Sequence, residues 1–394
     1  MPEWYVSPTA TGGGVGSVGN PWTIDEMEAS VNGGTIAAGD RVNLKDNAVH
    51  LTSGIGITKA GSYQANIIYE GYTATPGDGG RATVERSGGT AILWQQGGGY
   101  SLLRNLIFDG QAAGAYTLYL QATYTAAHYV EIKNSGGVGV TAGFPYSHMF
   151  DCYAHNNAGD GFENCIALNC FSASNGGIGF DQCDTYDCIS KGNTGKNYNI
   201  GWHRATRCIS DGGANDGFSL SYTAIMTDCI AVSSPSGKNG LNSDNPACRA
   251  FNCCFHGNAS AFNSAAVLVN YTLADPQFKD KANNDYTRIG SNLDQVGYSR
   301  IGMQSATSYK TPIGIDQATG FPAQGNVRSG IDYRGTVYSG NVNLPTANNV
   351  SLGVTYGSSG SEYTGTAVLQ IGASDIGAVT LTVAEKRHIL IARD

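Results

Sequence analysis

Two acidic residues eighteen positions apart, Glu163 and Asp181, each follow a phenylalanine, Phe162 and Phe180. If the chain between them is one turn of a stacked structure, their backbones lie about 5 Å apart, close enough for two carboxylates to flank a glycosidic bond. The alternative, which the sequence favours, is a pair of solvated outward carboxylates. His203 and Arg204, beside Trp202, occupy the corresponding place further along. A second set, Asp187, Arg207 and Asp228, stands immediately before three of the cysteines. By composition it is an exposed ion-pair ladder, a weakly stabilising feature; a catalytic reading of it rests on a resemblance described below. Tyrosines crowd the middle of the chain at Tyr116, Tyr119, Tyr124, Tyr129 and Tyr146. An outward tyrosine offers a flat apolar face and a hydroxyl, which suits sugar rings and subunit contacts alike. Core packing or strand propensity accounts for them equally well.

Other chemistries find less support. The net charge is −8 with no basic run, so nucleic acid is not an expected partner. The cysteines form no C-x-x-C pair, so a zinc site is not expected and no metal is assigned. Glycine-rich runs such as Gly12–Gly14 do not follow a strand and open a helix, as a nucleotide-binding loop requires. His50, His128, His148, His155, His256 and His388 are scattered, and each reads as a surface or hydrogen-bonded histidine. No apolar stretch is long enough to span a bilayer, so no membrane association is expected. The first residues lack the basic and apolar regions of a secretory signal, and none is expected.

What must position these residues is a repeat. DCYAHNN, NCFSASN, DCISKGN, RCISDGG, DCIAVSS and NCCFHGN recur, with Cys152, Cys170, Cys188, Cys208, Cys229 and Cys253 at steps of 18, 18, 20, 21 and 24. Phe162, Phe180, Phe218, Leu241 and Phe262 keep the same beat, with Ile200 or Trp202 expected between Phe180 and Phe218. Each unit is too short for a strand and helix, and too short to bury anything alone, but it suffices for one coil of brief strands. Stacked at about 4.8 Å, the coils put cysteine on cysteine and phenylalanine on phenylalanine inside a narrow core. The ten cysteines are therefore read as reduced core residues. Asn157, Asn175 and Asn193, also 18 apart, form a third column, where asparagine tolerates a left-handed corner and bonds along the stack.

Charged residues are only 14% and glycines number 55, which fits many short strands and tight corners. The clearest helix runs from Pro21 to Val31, with Thr23 and Glu26 as a capping box. With the strands predicted around Trp4 and Val42, it is placed to plug the open end of the stack.

The order YVSP, NPWTIDEMEASV, GDRVNL, ITKAGSYQANIIYEGY, the Cys/Phe coils and LADPQFKDKANNDYTRIGSNL resembles the right-handed parallel β-helix superfamily, which includes pectate-lyase-like enzymes and phage tailspikes. The resemblance spans roughly residues 1 to 300. It implies an all-β solenoid: an N-terminal cap with a capping helix over 1–50, coils over 51–275, wrapping loops and short strands over 276–335, and a small C-terminal β module over 336–394. Leu344 to Thr366 is similar to a tail element of phage virion surface proteins, although a generic β add-on explains it as well.

These resemblances imply a phage-type virion surface protein, a spike or decoration subunit binding glycan or covering the particle. Its expected partners are two further copies in a homotrimer, other virion proteins and polysaccharide, on the virion surface or in an extracellular setting. The alternative they imply is a polysaccharide lyase or glycoside hydrolase. A lyase would use Asp187, Arg207 and Asp228 with Ca2+, the arginine removing the α-proton; a hydrolase would use Glu163 and Asp181. The binding reading needs no cofactor.

Overall fold

The computed structural model describes residues 2–89, 92–143, 147–235 and 237–288, together with the backbone of four two-residue strands further on. Tyr146, and most of the stretches expected as wrapping loops and C-terminal module, lie outside the described residues. Two compact units divide the chain at Gly320. In the second, Asp332–Tyr333 pairs antiparallel with Tyr338–Ser339, and Thr355–Tyr356 with Tyr363–Thr364.

In the first unit the chain winds through three parallel sheets in a fixed cycle. Face one has twelve strands, from Glu3–Val6 to Val267–Val269. Face two has ten, from His50–Thr52 to Cys254–His256, and face three ten, from Ile55–Ile57 to Ser260–Ser264. Strands of only two to five residues suffice along most of the stack because each pairs with the coils on either side of it.

A helix, α1, spans Ile24–Asn32 between the first two strands of face one. Both arms of the expected capping box are present: Glu26 N donates to Thr23 Oγ1 at 3.2 Å and Thr23 N to Glu26 Oε2 at 2.9 Å. Ile24, Met27 and Val31 face the core. Asp25 and Glu28 on the other side accept from Thr52 Oγ1 (3.1 Å) and Gly56 N (2.7 Å), in the first strands of faces two and three.

Inside, like residues stack as the repeat predicts. Cys152, Cys170, Cys188, Cys208, Cys229 and Cys253 are all buried, and none of the ten cysteines is in a disulfide. Burial disfavours the thiolate and pushes Cys253 up to about 12. The aromatic column departs from expectation at one place: Tyr198, not Ile200 or Trp202, lies between Phe180 and Phe218. Its ring stacks at 5.1 Å on Phe180 and 4.5 Å on Phe218. A buried phenol needs a partner, and its hydroxyl donates to the Cys188 and Ile209 carbonyls. Ile200 points inward two residues later, and Trp202 is 66% exposed.

The asparagine column bonds along the stack. Asn157 Nδ2 donates to Asn175 Oδ1 at 2.9 Å, and Asn175 Nδ2 to Asn193 Oδ1 at 3.0 Å. The left-handed residue at this corner is the one before each asparagine: Asn156, Ser174 and Gly192, at φ 55°, 54° and 63°. The opposite arrangement holds between faces one and two, where Asp151, Asn169, Asp187, Arg207, Asp228 and Asn252 are themselves left-handed, φ 50° to 55°. They are corner residues, lying between the strands of faces one and two rather than within them.

Outside face two, Phe171, Ile189, Ile209, Ile230 and Cys254 form an apolar stripe. Residues 274–286 fold back over it. Tyr286 is fully buried, its hydroxyl donating to Asp211 Oδ2 at 2.6 Å, and Lys281 Nζ reaches Asp211 Oδ1 at 3.0 Å.

Candidate functional site

Outward residues of face three stack in register as Tyr119, Thr141, Glu163, Asp181 and Asn199. A groove of about 490 Å³ runs beside this column. Tyr116 and Tyr119 line one end, their rings stacked at 5.8 Å. Glu163 lies mid-way, and Asn164, Gln182 and His203 form the side nearest face one. Asn164 and Gln182 owe their outward aim to left-handed corners at φ 56° and 50°.

His203 reaches the groove because the coil is longer there. Asp181 pairs with Asn199, eighteen residues on, whereas Thr185 pairs with Ala205, twenty on. Two extra residues therefore fall in the corner that carries Gly201, Trp202 and His203. The next coil adds one more, since Ala205 pairs with Met226, and its corner carries Tyr222. Trp202 and Tyr222 stack at 4.4 Å and 14°, both well exposed. His203 Nδ1 lies 3.6 Å from Asp184 Oδ2. The His203 imidazole so close to the carboxylate, aided by the Arg204 backbone N–H at 2.8 Å, outweighs burial and holds Asp184 below the usual carboxylate range.

Of the hydrolytic pair, Glu163 lines the groove. Asp181 stacks directly on it one coil away but accepts a hydrogen bond from Asn199 Nδ2 at 2.6 Å. A third carboxylate, Asp160, is half-buried close by. Burial, with the charges of Asp181 and Glu163, raises it above the ordinary range, against the opposing hydrogen bond from Ile178 N.

Asp187, Arg207 and Asp228 sit elsewhere, at the corner between faces one and two. Arg207 Nε donates to Asp187 Oδ1 at 2.6 Å and its Nη2 bonds the other oxygen, while Asp228 accepts from Asn252 at 3.1 Å. These residues line neither of the two grooves on face three. Of the tyrosines, Tyr124 stacks on Tyr100 at 4.9 Å next to a second groove, lined by Gln95, Gln121 and Thr123. Tyr129 stacks on His128 at 4.0 Å, at the corner between faces one and two. Tyr116, Tyr119 and Glu163 are thus brought together, and Tyr129 and the arginine set are not.

The Ca2+ that a pectate-lyase-like resemblance implies needs several converging carboxylate oxygens. Among the described residues no three His, Cys, Asp or Glu side chains are grouped to hold a metal. Among them, too, no helix is long and apolar enough to cross a membrane.

Solved structures place this architecture. The crystal structure of pectate lyase Pel9A superposes with a TM-score of 0.54 at 16% identity, covering 86% of this chain and 95% of that one. This chain is a parallel β-helix of the pectate-lyase-like fold. Weaker likenesses to the β-helix are the A-module of Azotobacter vinelandii mannuronan C-5 epimerase AlgE4 and ORF18 of Geobacillus virus E2. The first gives TM-score 0.47, 16% identity, 67% of this chain and 81% of that one. The second gives TM-score 0.41, 12% identity, 66% and 61%. No family model matches the sequence, and no curated protein matches it.

Proposed function

We propose that this chain is a polysaccharide-binding surface protein of the phage-spike kind, whose β-helix lays a glycan along face three. The observation that carries the reading is the groove in which Tyr116 and Tyr119 share a wall with Glu163, Asn164 and Gln182. Aromatic faces accept the apolar side of a sugar ring, while amides both donate to and accept from its hydroxyls and carboxylates accept from them. In this reading α1 closes the first coils and the segment past residue 320 serves attachment, with the protein a homotrimer among other virion proteins. Face one, with Ile166, Leu168, Ile225 and Phe251 half-buried on its outer side, is where the copies meet. Electron microscopy of the purified protein tests the assembly: side-by-side trimers are expected, and a monodisperse monomer contradicts it. Retention of the protein in gels containing polysaccharide tests binding. Loss of retention in Tyr119→Ala is expected, and equal retention of the two proteins contradicts the site.

A second reading, glycoside hydrolysis, is favoured by one observation: the groove carboxylate Glu163 has Asp181 as its register partner, with their backbones about 5 Å apart. New reducing ends released by the protein, and abolished in Glu163→Gln, support it. Their absence on substrates that bind retires it.

A further inference from the structure

The two grooves of face three are parts of one track. Gly56, Gln95, Tyr119, Thr141, Glu163, Asp181 and Asn199 are successive register partners. Gly56 and Gln95 line the second groove, Tyr119, Thr141 and Glu163 the first. The grooves adjoin at Gly143, where a Cβ would lie 3.2 Å from Tyr119 Oη and 3.5 Å from the Gln121 backbone. Six coil steps make the track about 29 Å long, and Trp202 with Tyr222 stands beside its far end.

Its chemistry is one-sided. Between them the two grooves are walled by amides (Gln95, Gln121, Asn164, Gln182), threonine hydroxyls and, in the first groove, the rings of Tyr116 and Tyr119. Their charged or chargeable groups are Glu163 and His203, the latter beside Asp184. Asp181 and Asp160 add negative charge beside Glu163, and no Arg or Lys lines either groove. Lys196, toward the far end, is engaged by Ser219 Oγ at 2.9 Å. A polymer bearing a carboxylate on every ring would bring like charge onto Glu163 and Asp181 with no guanidinium or ammonium in the groove walls to receive it. Amides instead match a hydroxyl in both directions, as donor and as acceptor, and carry no charge to be desolvated.

We infer that the ligand of face three is an uncharged glycan, running along this track with one end against the Trp202–Tyr222 platform, and that uronate polymers are excluded. The inference rests on the reading of face three as a polysaccharide site and names its substrate class. It departs from the uronate preference that the fold's resemblance to pectate lyase suggests. The platform suits ring stacking because its two aromatic side chains back one another across adjacent coils while both remain open to solvent.

The test is binding of the full chain to immobilised dextran, laminarin, arabinogalactan and chitin oligomers, beside polygalacturonate and alginate, with and without Ca2+. The expected result is saturable binding to at least one neutral polymer that is insensitive to salt. It should weaken about tenfold in Trp202→Ala and stay unchanged in Lys279→Ala, an exposed position in the segment folded over face two. Both side chains are outside the core, and a thermal melt checks that the variants fold. Binding confined to polygalacturonate or alginate and lost in Tyr119→Ala overturns this inference and leaves face three as the site. Neutral-polymer binding untouched by both Trp202→Ala and Tyr119→Ala overturns it by moving the site elsewhere. A silent panel removes the polysaccharide reading along with it.

Discussion

Arg207 grips Asp187 with two arms of its guanidinium from a backbone held at φ 53°, a left-handed position that asparagine and aspartate tolerate better than arginine. The flanking coils have Asp187 and Asp228 there, and Asn169 and Asn252 beyond them. The arginine therefore completes a corner ladder. In Arg207→Asn the lost pair, partly exposed, and the relieved backbone oppose one another. Stability by urea titration should stay within about 1 kcal/mol, and glycan binding should be unchanged. Loss of a polysaccharide-cleaving activity in this variant would support the catalytic reading of the trio.

Tyr198 separates two contributions to the core. Tyr198→Ala empties a place in the aromatic column and should cost about 3–5 kcal/mol in chemical denaturation, as large aromatic truncations do. Tyr198→Phe keeps the stack with Phe180 and Phe218 and loses only the hydrogen bonds to the Cys188 and Ile209 carbonyls. Its cost should be near 1 kcal/mol.

Glu131 gives the fold an acid limit. Burial alone would raise its carboxyl, but the hydrogen bond from His155 and the charges of Arg81, Lys133 and His155 take it from 4.5 to about 2. A carboxyl depressed on folding stabilises above its unfolded value and loses that contribution as pH falls through its folded one. Stability should therefore drop between pH 4.5 and 2. Glu131→Gln should be less stable at neutral pH and should lack this part of the acid dependence, as melts across that range will report.

Glu163 sets charge selection without holding the track together. Glu163→Gln should leave neutral-glycan affinity within a few-fold and admit measurable binding of polygalacturonate, which the parent protein excludes, because one like charge is removed. Equal rejection of polygalacturonate by both proteins would show that Glu163 is not the selecting charge.

The cysteine and phenylalanine beats were enough to read the coils, because a column of identical small or flat residues inside a stack admits few other arrangements. The same pattern misjudged its own interruption. Where the cysteine step rises from 18 to 20, Trp202 looked like a member of the aromatic column, but the register assigns the extra residues to a corner and Tyr198 to the core. That change of step was the sequence's only sign of the groove wall and its exposed platform. The asparagine column at Asn157, Asn175 and Asn193 was legible as a corner, but the positive φ falls on the residue before each of them, because which residue of a corner turns left-handed depends on the turn's geometry. Tyr119 and Glu163 are 44 positions apart, and only the pairing of three successive strands shows that they share one column. The strap over face two was equally hidden, since Tyr286 and Asp211 meet across 75 residues.

The most direct test of a glycan track ending at the aromatic platform is tryptophan fluorescence. Of the four tryptophans, Trp22 and Trp94 are buried and Trp4 is half-buried in the first strand, stacked on Trp22, whereas Trp202 is 66% exposed, so ligand contact should be reported mainly by Trp202. Titration with an oligosaccharide of the neutral polymer that binds should protect the exposed indole from iodide quenching, saturably, and the effect should vanish in Trp202→Phe. Full binding with quenching of Trp202 unaltered would contradict the account.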